Sequence, residues 1–232
     1  MGVKNWGYRG KASALGAENI VKIGPQSGPG DVSDAAKVGA AMGAVYGPAL
    51  REFLLGLARQ ALGDAVAGEE ALPPLDPPGL SPSLLEKKAC FVTLTRGGVL
   101  RGCIGHLSPQ EPLYRAVALN VRNAALRDPR FPAVQPDELN EIRIEISVLS
   151  EPRPLSFSSP EELLAKLRVK LDGVLLRVGY RMATFLPQVW MQVPDKVEFL
   201  NQLAEKAGCP SGAWRGSDSS ISTYTVESFG ES

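Results

Sequence analysis

The residues best equipped for chemistry cluster in Leu100-Arg101-Gly102-Cys103-Ile104-Gly105, where a guanidinium stands two positions from a thiol. In a strand, alternate side chains share a face. Arg101 and Cys103 are therefore expected on one side, about 6.5–7 Å apart at the backbone, with Leu100 and Ile104 on the other. A guanidinium that near favours thiolate over thiol, the form that a nucleophile or covalent acceptor requires. Gly102 and Gly105 carry no side chain, so a ligand or another backbone could approach the strand closely at both positions. The same residues also admit a packing reading, because free cysteine usually behaves as a small buried hydrophobe and strand glycine also marks bulges.

Asp128-Pro129-Arg130-Phe131-Pro132 is a second constellation. Two prolines fix the chain while an acid, a guanidinium and an aromatic ring are presented together, which suits a planar or anionic ligand. It equally suits a capped helix end with a structural Asp–Arg pair. Gln188, in Leu186-Pro187-Gln188-Val189, offers an amide at the end of a strand, and His106 could serve Cys103 as a base or stand solvated on a loop.

The elements that must position these groups are legible in outline. Cys90 to Thr95 and Val99 to Ile104 read as a hairpin around Gly97-Gly98. With a two-residue turn and regular pairing, Val92 faces Cys103 and Cys90 lies diagonally across from it on the same face. A one-residue shift sends Cys90 to the opposite face. Leu50 to Leu62 and Leu113 to Ala124 repeat apolar residues at helical spacing, the first opened by Pro48 and the second stopped before Asp128-Pro129. Ile142, Ile144, Ile146 and Val148 alternate with polar residues as a half-buried strand. A short helix is expected from Pro160 to Leu167, strands at Val174 to Val178 and Met182 to Leu186, a helix from Lys196 to Ala207 and a last strand from Ile221 to Val226. Irregularly mixed hairpins and helices imply an α+β fold with a mainly antiparallel sheet flanked by helices. Residues 1–47 form a glycine-rich leader holding ten of the 24 glycines, and 48–232 the main domain, with a proline-rich loop at 72–82.

Composition limits the function classes. The 25 basic and 25 acidic residues of the 232 balance, which removes the global basic footprint of most nucleic-acid binders. One histidine excludes a histidine-built metal centre within the chain, and three cysteines without a Cys-x-x-Cys pair suit a reducing cytoplasm. No apolar run approaches a membrane span, and the N-terminus lacks a signal-peptide pattern.

Together, Phe91-Val92-Thr93-Leu94, the glycine-flanked cysteine motif, Asn120 and Ala124-Ala125 leading to Asp128-Pro129-Arg130-Phe131-Pro132, Ile144 to Leu149, Leu186 to Val189, and Phe199-Leu200 with Lys206-Ala207-Gly208 resemble the AMMECR family over about Leu50 to Phe229. The resemblance implies an α+β unit with a smaller lobe, and the cysteine motif as the active or binding site. Cys103 would be the nucleophile or covalent acceptor. Arg101, Gly102, Gly105, Asp128, Arg130, Phe131 and Gln188 would form the substrate site, with no cofactor or metal of the chain's own. His106 departs from the small hydroxyl residue usual in the family, and Ala204 stands where a cysteine commonly precedes Lys-Ala-Gly. Gln26-Ser27-Gly28, Gly30-Asp31-Val32 and Val38-Gly39 resemble weakly the end of the Memo family. This implies a prokaryotic module with Memo-family and radical-SAM partners, acting on a small-molecule, nucleobase or modified macromolecular substrate. A non-catalytic ligand-binding or adaptor module is the rival reading, and a nucleic-acid-associated regulator the third.

Overall fold

The computed structural model describes residues 45–69, 71–74 and 79–232. The Memo-like stretches and nearly all of the leader lie outside the described residues. In chain order the elements are α1 (Pro48–Val66), α2 (Pro82–Leu85), β1 (Cys90–Arg96), β2 (Val99–His106), α3 (Leu113–Leu126), β3 (Ile142–Leu149), β4 (Arg153–Pro154), α4 (Pro160–Lys166), β5 (Gly173–Val178), β6 (Arg181–Phe185), α5 (Lys196–Lys206), β7 (Ser219–Tyr224) and β8 (Val226–Gly230). They make two antiparallel four-stranded sheets, ordered β2-β1-β3-β8 and β4-β7-β5-β6, each flanked by helices. The fold is α+β, as the sequence pattern implies, and in two lobes, as the family resemblance implies.

In the first lobe, α1 opens with Pro48 at a position where its missing N–H costs nothing. Its apolar stripe, Leu54, Ala58, Ala61, Leu62 and Ala65, is buried. With Val117, Val121 and Ala124 of α3 it covers one face of the first sheet, meeting Cys90, Val92, Leu94, Ile104, Ile142, Ile144 and Ile146. The alternation of β3 thus aims its isoleucines at the helices, leaving Arg143, Glu145 and Ser147 on the far face. The second lobe packs Leu163, Val174, Leu176, Phe199, Leu200 and Trp214 around Trp190, whose ring stacks on Phe199 at 3.5 Å between centroids. A third cluster joins the lobes across the far face of the first sheet: Phe91, Cys103 and Leu149 meet Leu186 and Tyr224.

The hairpin register differs from regular pairing. Gly97 and Gly98 both take positive φ (57° and 79°), giving the tight turn with Arg96 opposite Val99. The pairing then slips: Thr95 faces Leu100, but Leu94 faces Gly102, so Arg101 is an extra residue in a bulge. Beyond it Thr93, and not Val92, stands opposite Cys103. Cys90 falls on the helix-covered face, where Asn120 Nδ2 donates to its carbonyl and its sulfur, so it cannot pair with Cys103. The bulge also moves Leu100 onto Cys103's side of the sheet, into the cluster that the sequence pattern assigned it away from.

The expected last strand is two. Ile221 to Val226 reads as one run, but the chain changes sheets at Thr225, between β7 and β8. Ser150, on the return path between β3 and β4, binds this crossing point: its N–H donates to the Thr225 carbonyl, and its hydroxyl accepts from the Thr225 N–H.

Candidate functional site

Strand β2 is an edge of its sheet, so its outward backbone groups need partners other than a strand. At Cys103 two side chains supply them. Asp128 Oδ2 accepts the Cys103 N–H at 2.8 Å, and Arg130 Nη2 donates to the Cys103 carbonyl at 3.2 Å. The clamp is itself locked, because Arg130 donates from Nε to Asp128 Oδ1 at 2.9 Å and from Nη2 to Oδ2 at 2.7 Å. Asp128 and Arg130 therefore replace one residue's worth of neighbouring strand. The turn in the Asp-Pro-Arg-Phe-Pro sequence makes this reach practicable, and the Arg130 guanidinium also lies 5.4 Å from the centroid of the Phe131 ring. Burial works against ionisation of Asp128, but the Arg130 guanidinium and the N–H groups of Cys103 and Arg130 hold its carboxyl below the usual range.

Arg101 is committed elsewhere. Its Nε and Nη2 donate to the two oxygens of Glu138 at 2.7 and 2.8 Å, and its Nη1 donates to the Pro132 carbonyl at 2.9 Å. Such a forked pair is geometrically demanding and strong. Glu138 also accepts the backbone N–H of Gln135, closing a capping box on the short 3-10 turn Pro136–Glu138. The Arg101 guanidinium and this N–H bring the Glu138 carboxyl down to about 2. Arg101 thus ties the bulge to the segment after α3, and the guanidinium acting on the sulfur is that of Arg130.

The thiol is 6% exposed in its residue and accepts a hydrogen bond from the Thr93 hydroxyl at 3.3 Å. Burial pushes the Cys103 thiol up. Thr93 and Arg130 pull the other way without overcoming it, and the Asp128 and Glu145 carboxylates add to the rise. Cys103 is therefore a neutral, held thiol at neutral pH, contrary to the thiolate expected from Arg101. Complete burial pushes the Cys90 thiol up to about 12. His106 ends β2 three residues on, and strand alternation puts it on the face opposite Cys103.

The two motif glycines make room for the protein's own atoms. A Cβ at Gly102 would stand 2.2 Å from the Ala124 carbonyl oxygen of α3, and one at Gly105 would stand 2.4 Å from the Cys90 carbonyl oxygen and the Phe91 ring. The close approach expected of a ligand is made by a helix end and an aromatic ring. Gln188 lies in the 3-10 turn Pro187–Met191, two residues after Leu186 of the interlobe cluster. Its Oε1 is buried and has no hydrogen-bond partner among the described residues.

The structure thus brings Cys103, Asp128 and Arg130 together, with Arg101 beside them in a separate ion pair. It adds three residues that the sequence pattern did not single out. Glu138 was detectable from the Gln135-to-Glu138 capping spacing. Thr93 stands in the Phe91-Val92-Thr93-Leu94 motif, but its place opposite Cys103 depends on the register. Glu145, opposite Thr93 on β3, reads in sequence as one polar position of a wet strand face; it is instead half-buried, with its carboxyl pushed up by desolvation. Among the described residues no helix is long and apolar enough to cross a membrane.

The chain is similar to known proteins over most of its length. A protein of Thermococcus gammatolerans is 41% identical over 187 residues, spanning 78% of this chain and 89% of its own length. Protein PF1979 of Pyrococcus furiosus is 40% identical, spanning 78% and 87%. The crystal structure of protein PH0010 from Pyrococcus horikoshii superposes with a TM-score of 0.68 at 37% identity, covering 78% of this chain and 90% of that one. The model of the AMMECR1 family matches residues 55–229, and the chain belongs to that family.

Proposed function

We propose that this protein is a ligand-binding module of the reducing cytoplasm whose glycine-flanked cysteine builds a rigid sheet edge and the wall of a binding face. The observation that carries the reading is the state of Cys103: both its backbone polar groups are clamped by Asp128 and Arg130, and its sulfur is buried, bonded to Thr93 and raised in pKa. A poised nucleophile has the reverse properties, an accessible sulfur in a net electropositive setting. The ligand is then bound by the far face of the first sheet, where the two lobes meet. Action beside Memo-family and radical-SAM partners belongs to the same proposal and rests on the resemblance; co-elution with a purified Memo-family protein tests it.

A Cys-dependent activity on the bound substrate is the second reading. It is favoured by the Thr93 hydroxyl and the Arg130 guanidinium, both of which stabilise a thiolate should a ligand alter the surrounding burial.

Complementation of a deletion strain separates the two. The binding reading predicts that Cys103→Ala, once shown to fold, restores function, whereas Asp128→Ala, which removes the clamp, does not. Loss of function in a folded Cys103→Ala or Cys103→Ser variant would favour the catalytic reading.

A further inference from the structure

One strip of the first sheet's far face carries acceptor capacity, at Thr93 and Glu145, that no donor among the described residues fills. Cys103, Thr93 and Glu145 stand side by side on three adjacent strands, β2, β1 and β3, as direct cross-strand partners. The Thr93 hydroxyl gives its proton to the Cys103 sulfur, so the oxygen's remaining capacity is as an acceptor. An ionised Glu145 carboxylate is acceptor-only, and no hydrogen bond or ion pair holds it among the described residues. It is half-buried, and the partial desolvation raises its pKa, so a donor of opposite charge beside it would favour the ionised form. Its cross-strand partner on the other side is Gly230, which has no side chain to cover it. The neighbouring hydroxyls, Ser147 and Ser228, are bonded to each other at 2.8 Å. Another acceptor without a donor, the buried Oε1 of Gln188, follows Leu186, which packs against Cys103's cluster from the second lobe.

We infer that the binding face takes a small cationic ligand, an ammonium or guanidinium compound, whose N–H groups are received by Glu145 and Thr93. The inference rests on the proposed binding reading and names its ligand class. An anionic ligand would meet like charge at Glu145, and a neutral acceptor would leave the strip unpaired. A guanidinium or ammonium satisfies both deficits at once, since it carries only donors and the opposite charge. Glu145 is then the residue that selects the ligand, while Cys103, already bonded to Thr93, fixes which way the Thr93 oxygen presents its lone pairs.

Agmatine, which carries both cations, is the probe, and N-butylurea is its neutral counterpart. Amide chemical shifts of the 15N-labelled full chain are followed during titration. Agmatine is expected to give saturable shifts at Thr93, Cys103 and Glu145, with N-butylurea giving none. Glu145→Gln, which keeps the shape and removes the charge, should weaken agmatine at least tenfold while leaving the remaining spectrum in place. Glu145→Asp should weaken it less and serves as the folded control if the glutamine variant fails to fold. Saturable binding of N-butylurea that Glu145→Gln does not affect would keep the face as a binding site and overturn the cationic assignment. Absence of saturable agmatine shifts at these three amides would also overturn it, whereas the binding reading itself falls on the Cys103 complementation result.

Discussion

At the scale of single residues, the cysteine motif works mostly through what its glycines omit. The Ala124 carbonyl of α3 occupies the space of a Gly102 side chain, and that atom belongs to helix backbone, which cannot yield cheaply. Gly102→Ala should therefore overpack the sheet–helix junction and destabilise the protein by about 1–3 kcal/mol, read as a lower urea midpoint with an unchanged slope. The residues that the structure brings together were legible in the sequence: Cys103, Asp128 and Arg130 meet, with Arg101 beside them. Their roles were less so. A guanidinium two positions from a thiol implied a thiolate, but the extra residue at Arg101 turns that side chain toward Glu138, and burial then decides the thiol's state. A bulge of one residue has no composition signal beyond the adjacent glycine.

At the scale of elements, the hairpin and the segment after α3 form a single mechanical unit, held by ion pairs of Arg101 with Glu138 and of Arg96 with Glu138 and Glu141, and by the bonds of Asp128 and Arg130 to the Cys103 backbone. Each element was visible in the sequence, since turn glycines, helical periodicity and proline stops are local signals. Their mutual docking was not, because it depends on which face each strand residue takes after the slip in register. The same limit explains the last strand: Ile221 to Val226 holds no glycine or proline to mark a break, and only three-dimensional pairing shows the change of sheet at Thr225. The Glu138 pair gives a pH signature. Its folded pKa of about 2 lies below the ordinary 4.5, so its contribution is complete above about pH 4.5 and is lost as pH falls toward 2. Glu138→Gln should cost about 1.5–3 kcal/mol at pH 7. The difference from wild type should narrow as acid unfolding curves are taken through that window; a gap independent of pH would show that the charge is not what holds the turn.

At the scale of the whole molecule, the two lobes share one small apolar cluster, and Cys103 sits inside it with Phe91, Leu149, Leu186 and Tyr224. The α+β class follows from the sequence pattern and the second lobe from the family resemblance, but the placement of the motif cysteine between lobes follows from neither, since Leu186 and Tyr224 are more than eighty residues away in the chain. This setting makes the thiol a part of the wall and gives the account its central claim, that Cys103 is a protected, neutral thiol. The direct test is alkylation of the folded protein by iodoacetamide, with each cysteine followed by peptide mass spectrometry across pH. All three cysteines are free, and Cys209 is the one not buried. Cys209 should be modified first, with Cys103 and Cys90 reacting only at the rate of local or global opening. Modification of Cys103 in the folded protein faster than Cys209, with a pH midpoint below that of an ordinary thiol, would contradict the account.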